Sequence, residues 1–170
     1  MGVHDTARKP MGNGDKIQKL DEAIRQEPKD AELYVRRAVL RHDQDERELA
    51  MVDLDSAVEL NPFHSEALSL RAALYIGDGE YDECIEDCNA ALAIDPNHDR
   101  AYCSRAAAWL AKDEYVKVIA DFDRALALDP TNPGAFYWRG VAKEHLGDIQ
   151  GAKVDFEMCE ALKPPYTEDE

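Results

Sequence analysis

The chain has 170 residues, 45% of them apolar and 33% charged, with 36 acids against 20 bases and a net charge of −16. That composition excludes a disordered chain, and the negative field argues against nucleic acid and anionic membrane as partners while favouring basic ones. No stretch approaches 18 consecutive apolar residues, so no transmembrane segment is expected.

In chain order, residues 1–14, "MGVHDTARKPMGNG", lack an apolar core of the secretory type and read as a solvated, disordered tail. Gly2 and Thr6 fit the loose Met-Gly-x-x-x-Thr pattern of N-myristoylation, but that pattern is short and the plain tail is the preferred reading. Residues 15–27, "DKIQKLDEAIRQE", form an amphipathic helix with Ile17, Leu20 and Ile24 inward and Lys16, Lys19, Glu22 and Arg25 outward.

From there a period takes over. Proline stands at 28, 62, 96, 130 and 164, every interval being 34 residues. Before each proline stand Ala23, Ala57, Ala91, Ala125 and Cys159 in one column, and Leu20, Leu54, Cys88, Phe122 and Phe156 in another. Ala50, Cys84, Val118 and Ala152 make a third. Earlier in each unit, small Ala38, Ala72, Ala106 and Gly140 alternate with large Tyr34, Leu68, Tyr102 and Phe136. Small residues let helix backbones approach and large ones fill the gaps, so these are core positions.

Each unit holds two helical segments. The first are "DAELYVRRAVLRH", "SEALSLRAALYI", "DRAYCSRAAAWLA" and "PGAFYWRGVAKEHL". The second are "ERELAMVDLDSAVEL", "EYDECIEDCNAALAI", "EYVKVIADFDRALAL" and "DIQGAKVDFEMCEAL". Asp30, Ser65 and Asp99 are expected to cap first helices, and Pro133 suits a first helical position. The prolines stop the second helices, because proline lacks an amide and excludes helical geometry just before it.

This chain resembles the tetratricopeptide repeat family, whose period is 34 residues. The resemblance covers residues 15–166: a truncated unit at 15–27 acting as a capping helix, then units at 31–64, 65–98, 99–132 and 133–166. Residues 167–170 are left as an acidic tail. It implies an all-α, right-handed solenoid of helix–turn–helix units. Two departures stand out. Arg41 and Lys143 occupy a column where Tyr75 and Trp109 are aromatic, and unit one lacks glycine in its turn, reading "HDQDERE".

Arg37, Arg71, Arg105 and Arg139 recur at the same period, as do Asp53, Asp87, Asp121 and Asp155. They are expected to form a structural ladder of ion pairs that fixes helix register.

Catalytic and metal chemistry finds little support. Cys84 and Cys88 lie one helical turn apart but in core columns, where cysteine acts as a small hydrophobe. Cys159 also reads as core. The five histidines show no metal-ligand spacing, and no phosphate-cradling glycine motif occurs. The chain is expected to be non-catalytic, to need no metal or cofactor, and to be cytoplasmic with reduced thiols.

The resemblance places function in a concave groove lined by the first helices. The groove positions it implies are Glu32, Val35, Val39 and His42, then Glu66, Ser69, Ala73 and Ile76. They continue with Arg100, Cys103, Ala107 and Ala111, then Gly134, Tyr137, Val141 and Glu144. A chaperone-binding subclass of the family clamps two carboxylates with Lys, Asn and Arg. Here the matching places read Val35, Val39, Ala73, Cys103 and Ala107, or, one unit on, Ser69, Ala73, Ala107, Tyr137 and Val141. Neither frame supplies a cation, so no clamp is expected. The groove suits a protein or peptide segment with small apolar and basic side chains, anchored on Tyr137 and Trp138, although Trp138 equally suits packing against a neighbouring helix. A rival reading is self-association into a homo-oligomer through Val154, Met158 and Leu162, which share one face of the last helix.

Overall fold

The computed structural model describes residues 12–162. The expected tail positions 1–11, with Gly2 and Thr6, and positions 163–170, with Pro164 and the acidic tail, lie outside them. Among the described residues there are nine helices and no strand. The chain divides into two compact units, Met1–Pro62 and Phe63–Glu170.

The first unit contains α1 (Asn13–Gln26), α2 (Ala31–His42) and α3 (Arg47–Leu60), with α1 packed on α2 and α2 on α3. Helix α1 begins two residues before the expected start. Leu20 and Ile24 of α1, Val35 and Ala38 of α2, and Ala50, Leu54 and Ala57 of α3 are buried. All of these except Val35 are the inward and columnar positions of the sequence.

The second unit contains α4 (Ser65–Asp78), α5 (Tyr81–Ile94), α6 (Asp99–Ala111), α7 (Tyr115–Leu128), α8 (Pro133–His145) and α9 (Ile149–Leu162). Each helix packs on the next in chain order, and α4 also packs on α6. One core joins Val118, Phe122 and Leu126 of α7 to Ala135 and Phe136 of α8 and Cys159 of α9. A second joins Ala72, Cys84, Ile85 and Cys88 to Ala108, with Trp109 packed against both cores. Burying side chains such as Val118 or Phe122 is worth about 1.5–3 kcal/mol each.

The helix ends follow from local chemistry. Glu27, Asn61, Asp95 and Asp129 each precede a proline and have left helical geometry, with φ between −140° and −125°. Each still donates its amide to the alanine carbonyl four residues back, at 2.8–2.9 Å. Tyr34 and Tyr102 strap first helices to these proline turns, their hydroxyls donating to Pro28 O at 3.1 Å and Pro96 O at 3.3 Å.

The starts are partly as expected. Asp30 caps α2, accepting from Glu32 N at 3.0 Å, and Pro133 is the first residue of α8. Ser65 and Asp99 are not caps: both lie inside their helices as first residues. The capping positions fall to His64, whose Nδ1 accepts from Ala67 N at 3.3 Å, and to His98. Asn132 caps α8 through Ala135 N at 3.1 Å.

Candidate functional site

The arginine–aspartate columns pair as four bidentate contacts. Arg37 donates through Nε and Nη2 to Asp53 at 2.9 and 2.6 Å. Arg71 binds Asp87 at 2.7 and 2.9 Å, Arg105 binds Asp121 at 2.9 and 2.6 Å, and Arg139 binds Asp155 at 2.9 and 2.6 Å. The four aspartates are buried. The two departures from the aromatic column join this system. Arg41 Nη1 donates to Asp53 at 2.7 Å, and Lys143 Nζ lies 2.8 Å from Asp155. Bonding to Asp53 raises the pKa of Arg37, and bonding to Asp155 raises that of Arg139, so these charges are fixed. The ladder holds first and second helices in register, which positions the outward side chains of the first helices.

In the second unit the expected groove positions are mostly small or apolar, with Glu66, Arg100 and Glu144 among them. Ala73 and Ala111 are exposed, and Ile76, Cys103, Ala107 and Val141 are half-buried. Arg100 Nη1 lies 2.5 Å from Glu66 Oε1, and His98 Nε2 lies 3.1 Å from Glu66 Oε2. The hydrogen bond from His98, and then the charge of Arg100, outweigh burial and hold the Glu66 carboxyl below the usual range. The cation at this position is therefore already committed to a carboxylate. Opposite charges in one column of successive first helices, Glu66 and Arg100, were the sequence signal for that pair; His98 had none.

Cys103 is half-buried, with Asn132 Nδ2 3.9 Å from its sulfur. Burial, reinforced by Asp99, Asp129 and Asp121, pushes its thiol up to about 11, so it stays protonated near neutral pH. Cys88 is pushed up by its hydrogen bond with buried Cys84 and by desolvation. Neither thiol is an activated nucleophile. Among the described residues, no group of three or more His, Cys, Asp or Glu side chains is placed to hold a metal ion.

Tyr137 and Trp138 are 43% and 44% exposed and meet edge to face, their centroids 5.0 Å apart. Tyr137 also tilts against Phe156 at 5.8 Å. Gly134 and Glu144 are exposed beside them. In the first unit Glu32, Val39 and His42 are exposed. Two expected groove residues are not at the surface: Val35 is 4% exposed and Ser69 is 0% exposed, so they lie within the packing and offer no contact area.

Val154 and Met158 are exposed and Leu162 is half-buried. Their columns contain Glu86, Ala90 and Ile94 on α5 and Ala120, Arg124 and Leu128 on α7, all exposed although α5 and α7 are each followed by a packed helix. The three residues therefore do not form the face on which a further helix would pack.

Residues 65–98 and residues 122–153 each match a family model described as tetratricopeptide repeat. None of the curated proteins matches the chain. Among solved structures it is similar to the crystal structure of MamA, with a TM-score of 0.79 and 18% identity, over 95% of this chain and 95% of that one. It is similar to the Arabidopsis OM64 TPR domain, with a TM-score of 0.65 and 24% identity, over 68% of this chain and 95% of that one. It is also similar to the first TPR of Spaghetti (RPAP3) bound to the HSP90 peptide SRMEEVD, with a TM-score of 0.66 and 22% identity, over 69% of this chain and 93% of that one. Identities of this size carry the fold alone.

Proposed function

Because this chain is a tetratricopeptide repeat protein, we propose that it is a non-catalytic interaction scaffold that displays its first helices to a protein or peptide partner. The observation that carries this reading is the surface of Ala73, Ala107, Val141 and Tyr137, margined by Glu66 and Glu144, on helices locked in register by buried ion pairs. Such a surface suits a segment with small apolar side chains and some Lys or Arg. Tyr137 and Trp138 offer the largest exposed aromatic area there, and aromatic residues commonly dominate binding.

The partner is not an acidic tail. The HSP90 peptide SRMEEVD in the Spaghetti structure ends in two glutamates, a valine and an aspartate. Here, in the frame that falls within the second unit, Ala73, Ala107, Tyr137 and Val141 stand at the clamp places, and Arg100 is tied to Glu66. A carboxylate brought to this surface would find no free cation at those places.

The test is fluorescence anisotropy of the full chain against labelled peptides, one set basic and rich in small apolar residues, with SRMEEVD as the acidic comparison. Basic peptides are expected to bind, and Tyr137→Ala to weaken them about tenfold or more. Tighter binding of SRMEEVD, or indifference to Tyr137→Ala, would sink the reading.

A further inference from the structure

The ladder arginines have a second set of bonds. While Nε and Nη2 hold the aspartate of the following second helix, Nη1 reaches back to the second helix before. Arg37 Nη1 donates to Asp21 on α1 at 2.6 Å, Arg105 Nη1 to Asn89 on α5 at 2.6 Å, and Arg139 Nη1 to Asp123 on α7 at 2.7 Å. Helices α1, α5 and α7 thus each present an acceptor that receives an arginine from the helix packed next. On α9 the same position, 34 residues after Asp123, is Glu157. Its side chain is 65% exposed, and the cation beside it is Lys153 of its own helix, at a long 3.8 Å.

The floor beside Glu157 is also that of a helix seat. Ile149, Ala152 and Phe156 line an open hollow between α8 and α9. One unit earlier the same positions are Tyr115, Val118 and Phe122, which pack in one core with Ala135 and Phe136 of α8. The rim differs. Glu144, Lys153 and Glu160 stand where Leu110, Ile119 and Leu126 contribute to that core.

We propose that this face of α8 and α9 is a second docking site, which takes an amphipathic helix of another protein carrying an arginine directed at Glu157. The pattern it reads is the one this chain uses internally: an aromatic residue, an arginine three positions later and a small residue after it. Tyr34-Arg37-Ala38, Tyr102-Arg105-Ala106 and Phe136-Arg139-Gly140 are its examples. Basic residues flanking that stripe complement Glu144. A folded second copy does not offer this pattern, because its Arg37, Arg105 and Arg139 are each already held by two partners.

The probe is a helix-stapled peptide of residues 133–145, titrated into the full chain. It carries Phe136, Arg139 and Gly140 and a net basic charge. Binding is expected to weaken about tenfold by Arg139→Ala in the peptide or by Glu157→Ala in the protein, with little further loss when both are changed. Glu157 is exposed, so its variant is expected to keep the wild-type melting curve and the wild-type affinity for groove peptides. The proposal is overturned by absence of binding, by binding indifferent to either change, or by additive losses. Concentration-dependent chain growth of the protein alone, dissolved by Glu157→Lys, would overturn it in favour of a second copy.

Discussion

At the scale of single residues, the buried carboxylates decide the most. Asp53 takes two arginines, and Asp155 takes an arginine and a lysine. Repetition at a fixed period made the arginine–aspartate pairing legible in the sequence. The second cations were not legible. Arg41 and Lys143 read there as losses from an aromatic column, because a column records residue type and not the reach of a long side chain. Both long stems reach the buried aspartate of their own unit. Asp155 shows the consequence for pH. Burial tends to raise its pKa, but the bonds from Arg139 and Lys143 outweigh it, and the carboxyl is held below the usual range. A depressed folded pKa gives stability that is present above the unfolded value, about 3.9, and is lost as pH falls through the folded one. Urea unfolding from pH 6 to 2.5 is expected to show this as a loss beginning near pH 4. Asp155→Asn is expected to be about 1–3 kcal/mol less stable at pH 6, with a flatter acid limb. An unchanged acid limb would contradict the assignment.

At the scale of helices, the turns that close the first helices follow one rule with two solutions. Gly79 and Gly147 take positive φ, at 80° and 82°, and so do Asp45 and Asp113, at 62° and 57°. These four positions are spaced by 34 residues. Unit one therefore keeps the left-handed turn that its missing glycine put in question. Aspartate tolerates this region better than most residues but still pays a steric penalty for its Cβ. Asp45→Gly removes that penalty and one negative charge. It is expected to raise stability by about 0.5–1 kcal/mol, read as a higher urea midpoint at unchanged slope. A lower midpoint would show that Asp45 does something else. Asp113→Gly is a poorer test, because Tyr115 donates to the Asp113 carboxylate at 2.7 Å. Starts were less legible than stops. A proline excludes helical geometry just before it, so the ends of α3, α5 and α7 were readable to the residue and that of α1 to within one. A cap depends on where the backbone turns helical, and at His64 and His98 it does so one residue before the serine and aspartate that propensity favours.

At the scale of the molecule, charge is the dominant feature. The net charge of the full chain is −16, and the buried aspartates of the described helices are each paired with arginine or lysine, so the excess acid is not held in the core. Attraction between exposed charges is screened over about 10 Å at 0.1 M salt and about 3 Å at 1 M. Affinity for a basic groove peptide is therefore expected to fall severalfold between 0.05 and 0.5 M sodium chloride, and a flat salt response would argue for a purely apolar contact. The repeated fold was legible because period, proline and small-residue columns all agreed. The candidate surface was legible only as columns. Val35 and Ser69 occupy groove columns yet are buried, and a one-dimensional pattern does not report how much of a column its neighbours cover.

The two-way arginines also bear on how such a chain comes apart. Arg105 ties α5 to the α6–α7 pair, and Arg139 ties α7 to the α8–α9 pair. Peeling off one pair of helices strands a partner on the pair that stays, so the cost of fraying is shared across the boundary. In a linear array of weakly coupled pairs, each would melt by itself. With these links, α4 to α9 are expected to unfold as one cooperative block, with loss of order at its end communicated inward rather than stopping at the nearest turn.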